Sequence, residues 1–280
     1  MTLLSDVRPS PLAGQWYPAD PQALARQVDA YLEAAQLPPL EGEVVGVMAP
    51  HAGYRYSGPV AGYAFAAVRG QAYDRVVVVS PMHHPYPAPL LTTRHQAYAT
   101  PLGLVPVDHP VVEQVDAWLR RHLGFGLTPV ANDPEHSLEI ELPFLQRALA
   151  GPFHLVPVMV RDQSEATARA LGQALAEVLQ NHRALLVAST DLSHYYPQSV
   201  AEMLDRELLR RVAAFDPLAV LRAEREGKGY ACGKAALAAV MWAAQGLGAT
   251  RVQVLRYATS GDVTGDYDAV VGYGAAVMLR

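Results

Sequence analysis

The chain predicts one α/β domain built around a largely parallel sheet. Two observations carry this expectation. Strand-length apolar runs, Val44–Met48, Arg75–Ser80, 153–160 and Ala184–Ser189, alternate with segments of helical periodicity, the pattern of strand–helix–strand units. No internal repeat, low-complexity tract or interdomain linker interrupts the 280 residues, so all of 1–280 reads as one domain. A third observation concerns function. Three of these runs end in loops that carry a histidine, and ligands bind at the carboxyl ends of strands in open α/β sheets.

Taken in order, residues 1–20 read as an extended arm, with Trp16 and Tyr17 packed on the core. Asp20 caps a helix that Pro21 opens, with Leu24, Val28, Tyr31 and Leu32 at helical spacing. Strand 43–49 runs into Pro50 and His51, and Ser57 or Gly58 caps a helix over 59–69 with Pro59 near its start. Strand Arg75–Ser80 leads into Pro81-Met82-His83-His84, of which His83 lies nearer the strand end and His84 reads as a solvated neighbour. A helix over 110–122 presents Val111, Val115, Trp118 and Leu119 on one face. Asp133 to Glu139 forms a polar turn before a short helix; strand 153–160, a Ser164-capped helix and strand Ala184–Ser189 follow. The last of these feeds Thr190-Asp191-Leu192-Ser193-His194. Helices over 199–214 and 217–225, the turn Lys228–Lys234 and an alanine-rich helix precede two final strands, 251–258 and 269–279. That last pair could run antiparallel.

Composition narrows the function classes. A net charge of −5 without a basic block argues against nucleic acid and anionic membrane surfaces. The apolar runs fall far short of a membrane span, and the first residues lack a basic segment followed by an apolar core. The one cysteine, Cys232, allows no internal disulfide, so a reducing cytoplasm is the expected location.

If the histidine-tipped strands are sheet neighbours, His51, His83 and His194 converge. Cys232, at a helix start where the dipole favours thiolate, adds sulfur, and such nitrogen and sulfur donors suit zinc, copper or iron. A lone cysteine is otherwise a small buried hydrophobe. Asp191 could orient His194 or act as a base. His136 has two readings: with Glu139 a helical turn away it orients a ligand, or it belongs to a capping turn with Ser137 as cap and Asp133 or Glu135 solvated. His95, His109, His122, His154 and His182 receive no role. No GxSxG elbow, GxGxxG or GxxxxGK[ST] is present, which disfavours serine-hydrolase and nucleotide chemistry.

PHAGYRYSGPVAGYAF (50–65), SPMHH (80–84), EHSLEIELPFLQ (135–146), STDLSHY (189–195), ACGK (231–234) and SGDVTGDYDAVVGYGAAVM (260–278), with LAGQWYPAD (12–20), together resemble the Memo family. Its bacterial and archaeal members are called AmmeMemoRadiSam system protein B. The resemblance spans nearly the whole chain. It implies a fold similar to LigB-type class III extradiol dioxygenases, a three-layer αβα sandwich with a mostly parallel or mixed sheet and a histidine-lined cleft. Carried over by motif, it implies a mononuclear iron or copper site at His51, His83 and Cys232, with Asp191 and His194 as a nearby polar pair. Met82, where many relatives carry a small polar residue, implies a more apolar rim. The family name implies association with a radical-SAM protein and an AMMECR-type protein.

The expected function is a metal-binding protein, if an enzyme then an iron(II)-dependent oxidoreductase, with copper possible and zinc open. His194 and Asp191 would move protons, and Tyr54, Tyr56 and Tyr195 would line a cleft holding a small molecule or peptide. The alternatives are a non-catalytic metal- or peptide-binding protein on the same scaffold, and a metal-free hydrolase using Asp191 and His194.

Overall fold

The structure is a computed structural model that describes residues 6–280; the first five residues of the expected N-terminal arm lie outside that range. Its elements in chain order are β1 (Val7–Arg8), α1 (Pro21–Ala34), β2 (Val44–Ala49), α2 (Tyr54–Ala66), β3 (Arg75–Pro81), β4 (Leu90–Thr93), β5 (Ala97–Thr100), β6 (Gly103–Pro106), α3 (His109–Leu123) and β7 (Thr128–Val130). A 3-10 turn (Glu139–Glu141) leads into α4 (Leu142–Ala148), followed by β8 (His154–Val160), α5 (Glu165–Leu179), β9 (Ala184–Ser189), β10 (His194–Tyr196), α6 (Gln198–Ala213), α7 (Pro217–Arg222), α8 (Lys234–Gly246), β11 (Arg251–Thr259), α9 (Gly261–Thr264) and β12 (Val270–Leu279).

The main sheet has the order β10-β12-β2-β9-β3-β8-β4-β7, with β11 on the outer side of β12. Its centre, β2, β9, β3 and β8, is parallel. Antiparallel pairing returns where β12 meets β2 and where β4 meets β8. The central strands are apolar over nearly their whole length because both faces are covered. The chain steps from β2 to β3 in one direction along the sheet and from β8 back to β9 in the other. Right-handed crossovers therefore put α2 and α5 on opposite faces. α1 packs on α2, which lies against β2 and β12, while α5 packs on α8, which lies against β3 and β9. The result is an α/β sandwich of three layers with a mixed central sheet. A second small sheet, β1-β5-β6, ties the N-terminal arm to the body.

The antiparallel final pair, β11 with β12, has the geometry left open by the sequence. Two local expectations fail. Helix α2 begins at Tyr54 with Gly53 as its cap, so Pro59 sits inside the helix rather than at its start. Pro59 is on the exposed face, where water can take up the carbonyl it leaves unbonded. Ser57 then does not cap; its hydroxyl donates to the Ala52 carbonyl at 2.7 Å. The loop at 260–266 contains one helical turn, α9.

Candidate metal centre

Strand order builds the site. Because β9 lies between β2 and β3, three adjacent parallel strands end on one edge, and their loops deliver His51, then Asp191 and His194, then His83. His51 is buried. Its backbone N–H donates to Asp191 Oδ1 at 2.8 Å, and its Nδ1 lies 2.8 Å from Ser189 Oγ. The Ser189 hydroxyl donates its own proton to the Ser137 carbonyl at 2.6 Å. Its oxygen is therefore left to accept from His51 Nδ1–H, which assigns the lone pair of the ring to Nε2.

His83 comes from the loop after β3, and its Nδ1 lies 2.9 Å from Glu135 Oε1. His136 stands on the loop before the 3-10 turn, with Nδ1 3.2 Å from the same oxygen. The two rings stack with centroids 4.7 Å apart, and His51 meets each edge-on at 5.3 Å. Among the described residues, His51, His83 and His136 are the group whose donor atoms all lie within 4.8 Å of one another. Burial pushes His51 well below the ordinary histidine value, and the neighbouring His136 and His83 push it further. Burial also lowers His136, to about 4, against the pull of Glu135. Neutral rings are the ligand-competent form.

His136 thus joins the cluster, but Glu139 does not orient it. Glu139 is buried and accepts from Arg8, from Ser10 at 2.6 Å and from Tyr17 at 2.7 Å. Glu135 and Asp133, expected in one reading to be solvated, are buried as well. Arg8, 1% exposed, pairs with Asp133 at 3.1 Å and donates to the Glu135 carbonyl at 2.9 Å. Burial pulls its guanidinium toward losing charge, and the surrounding acidic groups outweigh that and raise it. Trp16 lies over His136 with ring centroids 4.4 Å apart.

Cys232 precedes α8, and the turn approaches the loop after β9 so closely that a Cβ on Gly233 would lie 2.6 Å from the Ser189 carbonyl oxygen. Cys232 Sγ is 3.2 Å from His51 Nε2 and accepts from the Asp191 backbone N–H at 3.3 Å. It touches one of its two expected co-ligands and stands beside the three-imidazole group. The thiolate expected from a helix start is not favoured: burial, with Asp191 adding to it, pushes the thiol well above its ordinary value.

Asp191 is buried, and burial raises its carboxyl to about 7 despite the hydrogen bonds from the His51 and Ala52 amides. Its Oδ2 lies 4.0 Å from His51 Nε2. His194 Nδ1–H donates to the Leu192 carbonyl at 2.8 Å, which leaves Nε2 as an acceptor, and burial lowers its basicity. Among the described residues Asp191 and His194 share no hydrogen bond, and the Ser193 hydroxyl is buried without a partner, so no hydrolytic triad forms.

A cleft of two adjoining lobes covers the cluster. One, of about 370 Å³, is bounded by Trp16, the three imidazoles, Asp191 and Tyr195; the other, of about 400 Å³, by His194, Tyr196, Tyr230 and Cys232. Of the tyrosines expected here only Tyr195 takes part. Tyr54 is buried with its hydroxyl on the Ile140 carbonyl at 2.8 Å, and Met82 lies in the core rather than on the rim.

Sequence reasoning left His136 open and did not single out Glu135, Ser189, Tyr196 or Tyr230. The available signal for the first two was an acid beside a histidine in a turn that also holds Asp133 and Glu139, which is too many acids for a solvated cap.

Fold and site together define an α/β protein with a histidine-rich cleft, able to hold one metal ion, at the carboxyl edge of its parallel strands. The family whose model matches residues 8–277 is described as Memo-like protein. A MEMO1 family protein of Nitrosopumilus maritimus is 33% identical, covering 98% of this chain and 100% of the relative. MEMO1 family proteins of Methanopyrus kandleri and Methanothermobacter thermautotrophicus are 36% and 37% identical over 96% and 95% of this chain, and 98% of each relative is covered. The chain belongs to the Memo family.

Proposed function

We propose that this protein binds one transition-metal ion through the Nε2 atoms of His51 and His83, with His136 as third donor and Cys232 beside it as a further one. The observation that carries this reading is the arrangement of three imidazoles with one nitrogen of each within 4.8 Å of the others. Ser189 and Glu135 engage the Nδ1 atoms of His51 and His83, and Glu135 Oε1 lies 3.2 Å from that of His136, which leaves the Nε2 lone pairs of His51 and His83 for a ligand. Three imidazoles and a thiol suit iron(II), copper or zinc better than magnesium or calcium. We take iron(II) as the first candidate, by the resemblance to dioxygenase-like relatives.

A centre whose donors line an open cleft, with room for another molecule, suits chemistry better than a purely structural role. Bound there, iron or copper supplies redox chemistry to a molecule in the cleft. His194 Nε2 is free to accept a proton from such a molecule. Asp191, with a carboxyl near 7, can hold one beside His51. Tyr195 and Trp16 wall the lobe.

Elemental analysis of anaerobically purified protein tests the reading. The expected result is about one iron or copper per chain, absent in His51→Ala. Metal-free preparations that take up no iron, copper or zinc on titration would end it. Oxygen uptake that depends on an added organic compound and disappears in His51→Ala would mark an oxidoreductase. Stoichiometric metal without turnover would mark a binding protein on the same scaffold.

A further inference from the structure

We infer that Glu135 positions two of the three imidazoles at once: its Oε1 accepts the Nδ1 proton of His83 and the backbone N–H of His136, and lies within ion-pair distance of the His136 ring. The inference deepens the metal-binding reading and, as to metal affinity, rests on it.

The geometry is specific. Glu135 is 1% exposed. Its Oε1 lies 2.9 Å from His83 Nδ1 and 3.2 Å from His136 Nδ1, and accepts the backbone N–H groups of His136 and Ser137, each at 2.9 Å. Its Oε2 accepts the backbone N–H of His83 at 2.6 Å. Every group around the carboxylate is a donor, so only an anion with two acceptor oxygens satisfies the site. With the Nδ1 proton of His83 on that oxygen and the His136 ring stacked on it, 15° from coplanar, the two imidazoles are held side by side. One nitrogen of each of these rings lies within 4.8 Å of a nitrogen of His51. A carboxylate that accepts from the far nitrogen of a ligating imidazole fixes its tautomer and orientation, and losing such a partner typically weakens metal binding by about 10- to 100-fold. Here one residue serves two ligands.

Arg8 holds the carboxylate in place through the chain rather than through the carboxyl group. Its guanidinium donates to the Glu135 carbonyl at 2.9 Å and pairs with Asp133 two residues earlier. The arm that carries Arg8 also carries Trp16, which covers the outer face of His136. The positioning residue therefore has a rigid footing, which is what a fixed ligand geometry requires.

Glu135→Gln is the decisive substitution. An amide keeps the shape but offers one acceptor and two donors, so its NH2 opposes either the backbone N–H or the ring Nδ1–H of His83, and the ring loses its charged acceptor. Long-range proton–nitrogen spectra of the metal-free, nitrogen-15-labelled protein read the tautomers of His83 and His136 directly. Cobalt(II) titration, followed by its visible absorption, reads affinity. Wild type is expected to show His83 as Nδ1–H. Glu135→Gln is expected to mix the tautomers and weaken cobalt by at least about a hundredfold. Glu135→Asp, which keeps the anion one methylene back, is expected to recover part of both signals, and it replaces the glutamine variant if thermal unfolding shows that variant unfolded. Unchanged tautomers in Glu135→Gln overturn the inference, whether or not cobalt binding falls, since a loss of affinity would then come from the fold alone. Shifted tautomers in a protein whose wild type takes up no cobalt uphold the positioning role and end the metal-binding reading instead.

Discussion

The loops after β2, β3 and β9 and the turn from Asp133 to Glu141 each supply the cleft, yet they are held in place by different physics. The strand-end loops are positioned by the sheet. Register pairs Ala49 with Ser189 and Val79 with Ala188, so residues a step or two beyond the strand ends arrive together as a matter of backbone geometry. The Asp133–Glu141 turn follows no central strand. It is held by buried charge: Arg8 against Asp133 and Glu139, with Ser10 and Tyr17 completing the acceptor set of Glu139. A sheet tolerates the loss of one side chain, whereas a buried ion cluster does not, because each removed partner strands a charge away from water.

The sharpest way to break that comparison is Arg8→Met. It leaves Asp133 and Glu139 buried without their cation, and the expected loss is about 3–5 kcal/mol in urea unfolding. Metal binding through His136 should weaken with it while the backbone contact between His51 and Asp191 persists. A loss under about 1 kcal/mol would mean that the turn is held by packing and that the distinction between the two regions is wrong.

Asp205 tests the sheet side. It is buried beneath the His194 loop, accepting from Ser193 N–H and from the Tyr257 hydroxyl, each at 2.9 Å. Burial raises its carboxyl to about 6 from 3.8. The folded state thus holds this proton more tightly than the unfolded chain. The charged form costs stability above about pH 6, and that cost fades as the pH falls toward 4. Wild type should therefore gain on the order of 3 kcal/mol relative to Asp205→Asn between pH 7 and pH 4. Parallel urea curves at the two pH values check it, and a pH-independent difference would count against the buried charge.

His136→Ala and Cys232→Ser ask which side of the site supplies the third donor. On the reading above, His136→Ala weakens cobalt(II) by about a hundredfold, roughly 2.7 kcal/mol, and removes no sulfur signature from X-ray absorption. Cys232→Ser costs less and removes any sulfur signature wild type shows. The reverse order of effects would move the third donor to the thiol. The smallest change is Gly233→Ala, whose new methyl would lie 2.6 Å from the Ser189 carbonyl oxygen. It should destabilise the protein by about 1–3 kcal/mol and shift Cys232 away from His51. A fully stable variant would show that this turn has room to yield.

The difference between the two regions also explains what could be read beforehand. Alternating apolar strands and amphipathic helices, the histidines at strand ends and the antiparallel close of the chain are local patterns. α1, α3, α5 and the central strands accordingly fall near their expected bounds. The start of α2 was misplaced because Pro59 reads as a first-turn residue when its exposure is unknown. His136 and Glu135 stayed ambiguous for a deeper reason. Their roles depend on Arg8, more than a hundred residues away, and no periodicity reports a contact of that span.

From the sequence alone came the α/β class, the strand ends as the functional edge, the family resemblance and the candidacy of His51 and His83. The tertiary structure alone decided that β9 slots between β2 and β3, that Glu135 is an interior acceptor rather than a solvated cap, that a third imidazole joins the cluster, and that Cys232 is a half-buried thiol against His51. Periodic burial writes itself into neighbouring residues. The partner of a buried charge, and the water it has lost, are properties of the folded whole.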